Sequence, residues 1–207
     1  FGKMVDKGYI YKGLKPIYWS PSSESALAEA EIEYHDHTSP SIYVAFDLVS
    51  ENGAVEKGTK FVIWTTTPWT LPANLGIAVH PDFEYQVVKY NGESYLVAKE
   101  RVAFLAEKFG WENYETGEVL VGKDLEYLLC QHPFLDRTST LILADYVTLD
   151  SGTGLVHTAP GHGVDDYLVG QLQYKLGVLS PVDNQGVLTE EAGQFAGKFV
   201  FDANKDI

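Results

Sequence analysis

The sequence predicts an α+β fold with a barrel-like, mainly antiparallel β core and helices inserted between the strands. Short segments with strand-like alternation of apolar residues outnumber segments with helical spacing. Two of the strand-like segments flank Asn91-Gly92, a dipeptide that favours the type I′ turn of a β-hairpin. Because the helices stand between hairpins and do not alternate regularly with strands, the pattern is typical of an α+β domain.

The predicted strands are short and rich in β-branched and aromatic residues. The clearest early strand covers residues 41–49, and a turn is predicted after it at Glu51-Asn52-Gly53. Alternate residues of this strand share one apolar face, namely Ile42, Val44, Phe46 and Leu48. Further strands are predicted over residues 16–19, 60–64, 84–90, 94–98, 140–143 and 155–157.

Two helices are predicted between these strands. Residues 99–109 carry apolar side chains at helical spacing and end at Gly110, a natural helix stop. Residues 163–176 form the better pattern, because an apolar residue recurs every fourth position and Gly177 suits a C-terminal cap. The last stretch, residues 186–207, is polar and interrupted by glycines.

Composition limits the possible functions. The chain has 207 residues, with 15 Lys and Arg against 29 Asp and Glu, so its formal net charge is −14. This balance is wrong for gripping a nucleic acid duplex or an anionic membrane, since both need a surplus of basic residues. The single cysteine, Cys130, excludes a disulfide within the chain, and its apolar neighbours indicate core packing. The apolar runs are too short to span a bilayer.

The first chemically unusual segment is residues 64–74, Trp-Thr-Thr-Thr-Pro-Trp-Thr-Leu-Pro-Ala-Asn. On a strand, Thr65 and Thr67 would face one side and Thr66 the other. Their hydroxyls could hold a sugar hydroxyl, a carbonyl or a water. The simpler interpretation is a threonine-rich sheet edge, because threonine is a good strand former. The residues alone leave both interpretations open, a binding site and a sheet edge.

The second unusual segment is residues 151–167, which reads as a glycine-rich turn, a strand ending at His157, a second turn and the start of a helix. Asp165 and Asp166 would fall at the cap and in the first turn, where backbone N–H groups and the helix dipole keep carboxylates ionised. Such a carboxylate could hold an ammonium group. On helix statistics alone, a plain cap is favoured for Asp165 and a surface carboxylate for Asp166.

His157 and His162 admit a further interpretation. Two histidines with aspartates nearby could bind a metal ion, yet their spacing crosses a turn and no rule places a third ligand. Hydrogen-bonded histidines are therefore favoured over a metal site.

Together the two segments resemble the editing domain, the connective polypeptide insertion, of bacterial-type isoleucyl-tRNA synthetases. The similarity lies in residues 64–74, in Gly152-Thr153-Gly154, and in residues 157–167 with the text His-Thr-Ala-Pro-Gly-His-Gly-Val-Asp-Asp-Tyr. Residues 1–20 and 186–207 resemble the chain entering and leaving this insertion. The resemblance implies that residues 1–207 are a single editing domain excised from a longer synthetase. The aminoacylation motifs of the family are absent from these residues, so no aminoacylation site is expected in them.

The resemblance implies a function and roles for particular residues. The function is hydrolysis of the ester in valyl-tRNA(Ile), in the cytoplasm, with no cofactor and no metal. Asp166 matches the residue that grips the substrate α-ammonium, and Thr65, Thr66 and Thr67 match the stretch around the ester and the terminal adenosine. The implied substrate-binding residues are His157, as a wall that admits valine and blocks isoleucine, together with Asn74, Trp69 and Trp64.

The implied partners are the 3′ end of tRNA(Ile) carrying valine and the remaining domains of the synthetase. Neither a membrane nor a duplex gripped by these residues alone is expected. Two alternatives remain: a module that binds the aminoacyl end without hydrolysing it, and a metal-dependent hydrolase that uses His157 and His162.

Overall fold

The fold is described from a computed structural model that places residues 1–50 and 53–207. The turn predicted at Glu51-Asn52-Gly53 therefore lies largely outside the described residues. The helices are short: α1 Gly2–Asp6, α2 Val102–Phe109, α3 Val164–Asp166 and α4 Val200–Ala203, with a π-helix at Tyr167–Gln173. Turns of 3₁₀ helix lie at Glu29–Glu31, Pro68–Ala73, Lys99–Arg101, Gly122–Leu125 and Glu190–Phe195.

Strands form most of the regular structure. They are β1 Tyr18–Ser20, β2 Ser25–Leu27, β3 Ile42–Asp47, β4 Lys60–Thr65, β5 Gly76–Val79, β6 Glu84–Tyr90, β7 Glu93–Ala98, β8 Glu115–Val121, β9 Leu129–Gln131, β10 Thr138–Leu143 and β11 Leu155–Thr158. Each predicted strand is present, with ends shifted by up to two residues. The sequence patterns missed β2, β5, β8 and β9, which are short or have mixed polarity.

Six strands enclose the main core. Their order is β3-β4-β11-β5-β10-β9. An isolated β-bridge between Leu48, just after β3, and Cys130 of β9 joins the two ends of this row of strands. The backbone N–H of Val49 donates to the carbonyl of Leu129 at 2.9 Å in the same place. Within the described residues, six strand pairs are antiparallel and three are parallel. The predicted barrel-like, mainly antiparallel core is therefore confirmed.

Large apolar side chains fill this enclosure. The predicted apolar face of β3 is confirmed, since all four of its members pack in or against this core. The fully buried members of the main core include Phe46, Phe61, Ile63, Ile77, Leu96 and Leu141. Burial of such side chains is the main favourable term in folding, about 1.5–3 kcal/mol for each large one.

A second layer is built from the β6–β7 hairpin and α2. Asn91 and Gly92 both have positive φ, 51° and 81°, as the predicted type I′ turn requires. Helix α2 ends at Gly110, which adopts the left-handed conformation as a C-terminal cap. The predicted hairpin and the predicted end of α2 are both confirmed.

The predicted helix over residues 163–176 needs a correction. Only Val164–Asp166 is α-helical, and the segment continues as the π-helix Tyr167–Gln173. Its apolar stripe is exposed at Val164, Leu168 and Leu172. The buried residue is Gly170, where a Cβ would lie 2.8 Å from Cγ of Pro160. The segment packs inward through Gly170, where its backbone comes close to Pro160, and not through the apolar residues that recur every fourth position.

The C-terminal stretch is more ordered than its composition suggests. Residues 186–207 bury a small cluster of their own, consisting of Leu188, Ala192, Phe195, Val200 and Ala203. Trp69 packs against this cluster, so the C-terminal stretch supports the turn after β4. In the described part of the chain, no helix has the length and apolar character needed to cross a membrane.

Candidate active site

The two unusual segments meet at one edge of the sheet. Strands β4 and β11 run parallel, with Val156 opposite Trp64, so their carboxyl ends point the same way. The 3₁₀ turn Pro68–Ala73 follows β4, and α3 follows β11. The topology therefore brings together residues about 90 positions apart in the sequence.

Two cavities lie where these segments meet. The first has a volume of about 270 Å³ and is lined by Thr65, Thr67, Trp69, Thr70, His157, Ala159, His162, Gly163 and Asp166. The second has a volume of about 220 Å³ and is lined by Trp64, Thr65, Thr66, Thr148 and residues 151–156. Thr67 lines the first cavity, Thr66 lines the second, and Thr65 lines both. Because β4 ends at Thr65, the expected strand alternation does not extend through Thr66 and Thr67.

His157 forms one wall of the first cavity and uses both of its ring nitrogens within the protein. Its Nδ1 lies 2.7 Å from Nδ2 of Asn74, and its Nε2 lies 2.9 Å from Oγ1 of Thr70. The Thr70 hydroxyl itself donates to the carbonyl of Thr67 at 2.9 Å. Because the Asn74 amide nitrogen can only donate and the single Thr70 proton is already used, His157 carries its proton on Nε2.

Burial lowers the pKa of His157 to about 3, with smaller contributions from His162 and His132. The ring is therefore neutral at neutral pH, and its side chain is only 9 % exposed. A neutral ring with both nitrogens occupied cannot take up a proton from water. His157 can act as a fixed wall but not as a general base.

Asn74 was predicted to touch substrate, and the structure places it elsewhere. It is 0 % exposed and lies behind His157, away from the cavity surface. Its Nδ2 also donates to the carbonyl of Gly76 at 2.8 Å, and its Oδ1 accepts from Ser139 Oγ at 2.5 Å. A fully buried side chain with these partners can position His157 but cannot contact a ligand.

Asp166 brings a carboxylate to the first cavity. Its Oδ2 accepts a hydrogen bond of 2.9 Å from the backbone N–H of Ala159, at the end of β11. The carboxylate folds back over Gly163, where a Cβ would lie 2.7 Å from both Cγ and Oδ2 of Asp166. Glycine at 163 therefore makes room for the carboxylate.

The electrostatics of Asp166 differ from the prediction. Burial raises its pKa to about 6, although hydrogen bonds from Ala159 and from its own N–H offset part of this rise. The predicted ionised state at neutral pH still holds, because a pKa of about 6 leaves Asp166 mostly deprotonated there; what the prediction lacked is the opposing effect of burial. The predicted cap at Asp165 is wrong: Gly163 holds the cap position, and Asp165 is exposed in the first turn.

Trp69 and His162 form the opposite wall. Their rings meet edge to face with centroids 5.1 Å apart, and the backbone N–H of Trp69 donates to Oδ1 of Asn204 at 3.0 Å. Both residues also border an apolar groove of about 520 Å³ on their far side. Burial lowers the pKa of His162 to about 4, so this ring is neutral as well.

Trp64 belongs to the second cavity and not to the first. Its Nε1 donates to Oγ of Ser41 at 2.6 Å, which fixes the indole. Gly152, with φ of 67°, lies so close that a Cβ would be 3.1 Å from the indole ring.

Thr70 lines the first cavity, but the sequence analysis gave it no role in the site. It stands in the same threonine-rich segment as Thr65, Thr66 and Thr67.

Among the described residues, no group of three or more His, Cys, Asp or Glu side chains is placed to hold a metal ion. His157 has no open nitrogen, so the pairing of His157 with His162 gives the metal-dependent alternative no support.

Comparison with known sequences connects this site to a family. The model of class I tRNA synthetases (I, L, M and V) matches residues 1–90. Over its whole length the chain is 58% identical to the isoleucine–tRNA ligase of Staphylococcus carnosus (strain TM300) and 59% identical to that of Bacillus cereus (strain Q1). Over its whole length the chain is therefore similar to a segment of isoleucine–tRNA ligases. It spans only 23% and 22% of the length of these two relatives.

Solved structures with a similar fold come from another synthetase. The structure described as GlLeuRS-CP1 aligns with a TM-score of 0.65, covering 81% of this chain and 93% of that one, at 16% identity. The editing domain of the P. falciparum cytosolic leucyl-tRNA synthetase aligns with a TM-score of 0.56, covering 77% and 83%, at 12% identity. At such identities the likeness concerns the fold, and it agrees with the predicted editing-domain fold.

Proposed function

We propose that this segment is the editing unit of an isoleucine–tRNA ligase and hydrolyses the ester of valine wrongly attached to tRNA(Ile). The observation that carries the proposal is the first cavity, which is lined by the Asp166 carboxylate, the neutral ring of His157 and three threonines. The similarity in sequence to a segment of isoleucine–tRNA ligases and the likeness in fold to leucyl-tRNA synthetase editing domains support it.

The family has a chemical need for such a site. Valine is one methylene smaller than isoleucine, and a pocket built for the larger side chain rejects the smaller one only about 10–200-fold, a limit already established for isoleucyl-tRNA synthetases. A second site that excludes isoleucine by size and hydrolyses valine removes the remaining errors. In this proposal His157 sets that size limit, because its hydrogen bonds prevent the ring from yielding.

Asp166 binds the substrate α-ammonium. An ionised carboxylate that is held by backbone N–H groups and shielded from bulk water forms a strong charge-assisted hydrogen bond with an ammonium group. Ammonium binding in turn favours the ionised form, so it lowers the pKa of Asp166 when substrate is present. The α-carbon is thereby fixed, with its side chain directed at His157.

The threonines orient the reacting groups. Thr65 and Thr67 face the first cavity and hold the ester carbonyl and the attacking water, while Thr66 and the loop at 152–154 in the second cavity receive the terminal ribose. Water adds to the carbonyl carbon, the bond to the ribose oxygen breaks, and the proton of the water passes to that oxygen. The products are free valine and uncharged tRNA.

The proposal also covers the extent of the domain, its tRNA partner and its place in the cell. Residues 1–207 act as one editing domain, with residues 1–20 and 186–207 as the connections to the catalytic domain. The tRNA is delivered by the other domains of the ligase, since the net charge of −14 opposes binding of a long phosphate backbone. The site of action is the cytoplasm, where tRNA is charged.

The test is deacylation of valyl-tRNA(Ile) by the full-length ligase that contains this segment. Asp166→Ala should lower kcat/KM at least 100-fold, since loss of one buried charged contact is worth about 3 kcal/mol. In the wild type, kcat/KM should fall as the pH drops below about 6, because protonated Asp166 in the free protein no longer attracts the ammonium.

Asp165→Ala is the matched control, because this neighbouring carboxylate is exposed and does not line the cavity. It should retain activity within about twofold, as expected of an exposed substitution. Equal activity of the two variants would contradict the role of Asp166. Binding of the valyl ester without release of valine would favour a binding module, and loss of activity with a chelator would favour the metal-dependent alternative.

A further inference from the structure

The 3₁₀ turn Pro68–Ala73 carries Thr70 and leads into Asn74, yet it contains few groups that can hold it in shape. Two of its six residues are proline, which has no backbone N–H. The carbonyl of Leu71 accepts from the backbone N–H of Asn74 at 2.9 Å within the turn. The carbonyls of Pro72 and Asn74 need donors from elsewhere, because buried carbonyl groups are almost always paired.

The chain between β9 and β10 supplies those donors. Arg137 donates through Nε to the carbonyl of Asn74 at 3.2 Å and through a second nitrogen to the carbonyl of Pro72. His132 donates through Nε2 to the carbonyl of Leu71 at 2.9 Å. Three successive parts of the turn are thus held by side chains more than 60 residues away in sequence.

The side-chain amide of Asn74 is held from the same direction. Ser139, the second residue of β10, is fully buried and its Oγ donates to Oδ1 of Asn74. This bond and the one to the carbonyl of Gly76 direct the amide nitrogen at Nδ1 of His157. The direction of this amide decides which His157 nitrogen carries the proton, and hence how the ring contacts Thr70.

We propose that Arg137 and Ser139, which lie outside both motifs, are positioning residues for the editing site. Arg137 fixes the turn that carries Thr70, and Ser139 fixes the Asn74 amide. Together they hold His157 in one tautomer and one position, so that the cavity keeps its size. This inference rests on the proposed function, since the size of the cavity is what separates valine from isoleucine.

The first readout is discrimination by the full-length ligase. Ser139→Ala should lower kcat for valyl-tRNA(Ile) hydrolysis about tenfold, as loss of one buried hydrogen bond would, and Arg137→Met, which removes two, should lower it at least as much. KM should change little, and hydrolysis of correctly charged isoleucyl-tRNA(Ile) should rise several-fold because the wall has become mobile. Arg137→Lys should be intermediate, because lysine keeps the charge but cannot present a planar pair of donors.

Ser50→Ala is the matched control. Ser50 also uses a hydroxyl in this region, accepting a hydrogen bond of 2.8 Å from the backbone N–H of Leu129 in β9, but it does not touch Asn74 or the turn. This variant should lose similar stability and keep its discrimination between the two esters. Aminoacylation by the same preparations reports whether each variant is folded.

The second readout does not depend on activity. Nitrogen-15 NMR of histidine-labelled ligase distinguishes the two ring tautomers, and the His157 signal is assigned by its absence in His157→Gln. The wild type should show Nε2–H alone, and Ser139→Ala should show both tautomers. If the wild type releases no valine, the proposed function fails while this readout still tests the positioning. The inference is overturned if Ser139→Ala matches Ser50→Ala in both readouts and Arg137→Met matches it in discrimination.

Discussion

The hairpin region, residues 84–121, and the candidate active site are stabilised in different ways. In the hairpin region the strands pair with their neighbours in sequence, as Tyr85 does with Ala98, around a two-residue turn. In the site the decisive hydrogen bonds join residues far apart, such as Thr70 and His157, which are 87 positions apart. Tyr85 and Ala98 also hydrogen-bond the loop at 152–154. Changes elsewhere in the hairpin region should therefore affect stability alone, whereas changes in the site should affect chemistry and specificity.

The largest expected effect is that of His157→Ala. Removing the ring enlarges the cavity toward the substrate side chain, so hydrolysis of isoleucyl-tRNA(Ile) should rise about 100-fold, the scale on which a pocket can sense one methylene. Asn74 and Thr70 lose a buried partner, which should lower the free energy of unfolding by about 2–4 kcal/mol. Rates of deacylation for the two esters and urea unfolding measure both effects.

His80→Ala provides the contrast at the edge of the hairpin region. Its ring stacks on Phe83, with centroids 3.9 Å apart, and does not line the site. Discrimination between the two esters should be unchanged in this variant. A loss of discrimination comparable to that of His157→Ala would mean that the site and the hairpin region are not separable.

The next effect is the sensitivity of the site to acid. Burial is the main cause of lowered pKa values in three histidines there, to about 4 for His132, about 3 for His157 and about 4 for His162. Their unfolded value is about 6.5, so the stability that they contribute as neutral groups is present above pH 6.5 and lost as the pH falls toward 4. Asp166, with a pKa raised to about 6, acts in the opposite direction, since protonation favours the folded state between pH 6 and 4.

At pH 5 these four groups together therefore bind about two more protons in the unfolded chain than in the folded chain, three at the histidines less one at Asp166. Their joint contribution to the free energy of unfolding should fall by about 3 kcal/mol for each pH unit of acidification near pH 5. Urea unfolding of the chain at several pH values measures this slope. His157→Gln should make this slope smaller by the amount that corresponds to about one proton. An unchanged slope would show that His157 is not buried as a neutral ring.

The same contrast explains how much could be predicted from the sequence. The hairpin region was predicted with its turn and the glycine that ends α2, because Asn91, Gly92 and Gly110 act through local backbone preferences. The types of residue in the site were also recognised, since Thr65, His157 and Asp166 stand in two dense motifs. Their arrangement could not be read from the motifs, because it depends on which strands become neighbours.

Asn74 and Asp166 show the limits of prediction most clearly. Asn74 stands inside a motif but is buried behind His157, because Ser139 and Gly76 from elsewhere in the fold hold its amide. Asp166 was expected to be ionised through its place at a helix start, yet burial by the surrounding elements dominates its pKa. In both cases the tertiary environment, which is absent from the local sequence, determines the behaviour of the side chain.

The smallest expected effect lies in the hairpin region. Gly92 has a φ of 81° and open space around the position of a Cβ, so Gly92→Ala meets a conformational penalty without a steric clash. The free energy of unfolding should fall by about 1 kcal/mol, because residues with a Cβ disfavour this left-handed conformation. Gly2→Ala is the control, since Gly2 also has open space around it but no positive φ. Valyl-tRNA(Ile) hydrolysis should be the same in both variants, and a selective loss of activity in Gly92→Ala would show that the hairpin turn, although remote in the fold, contributes to the editing site.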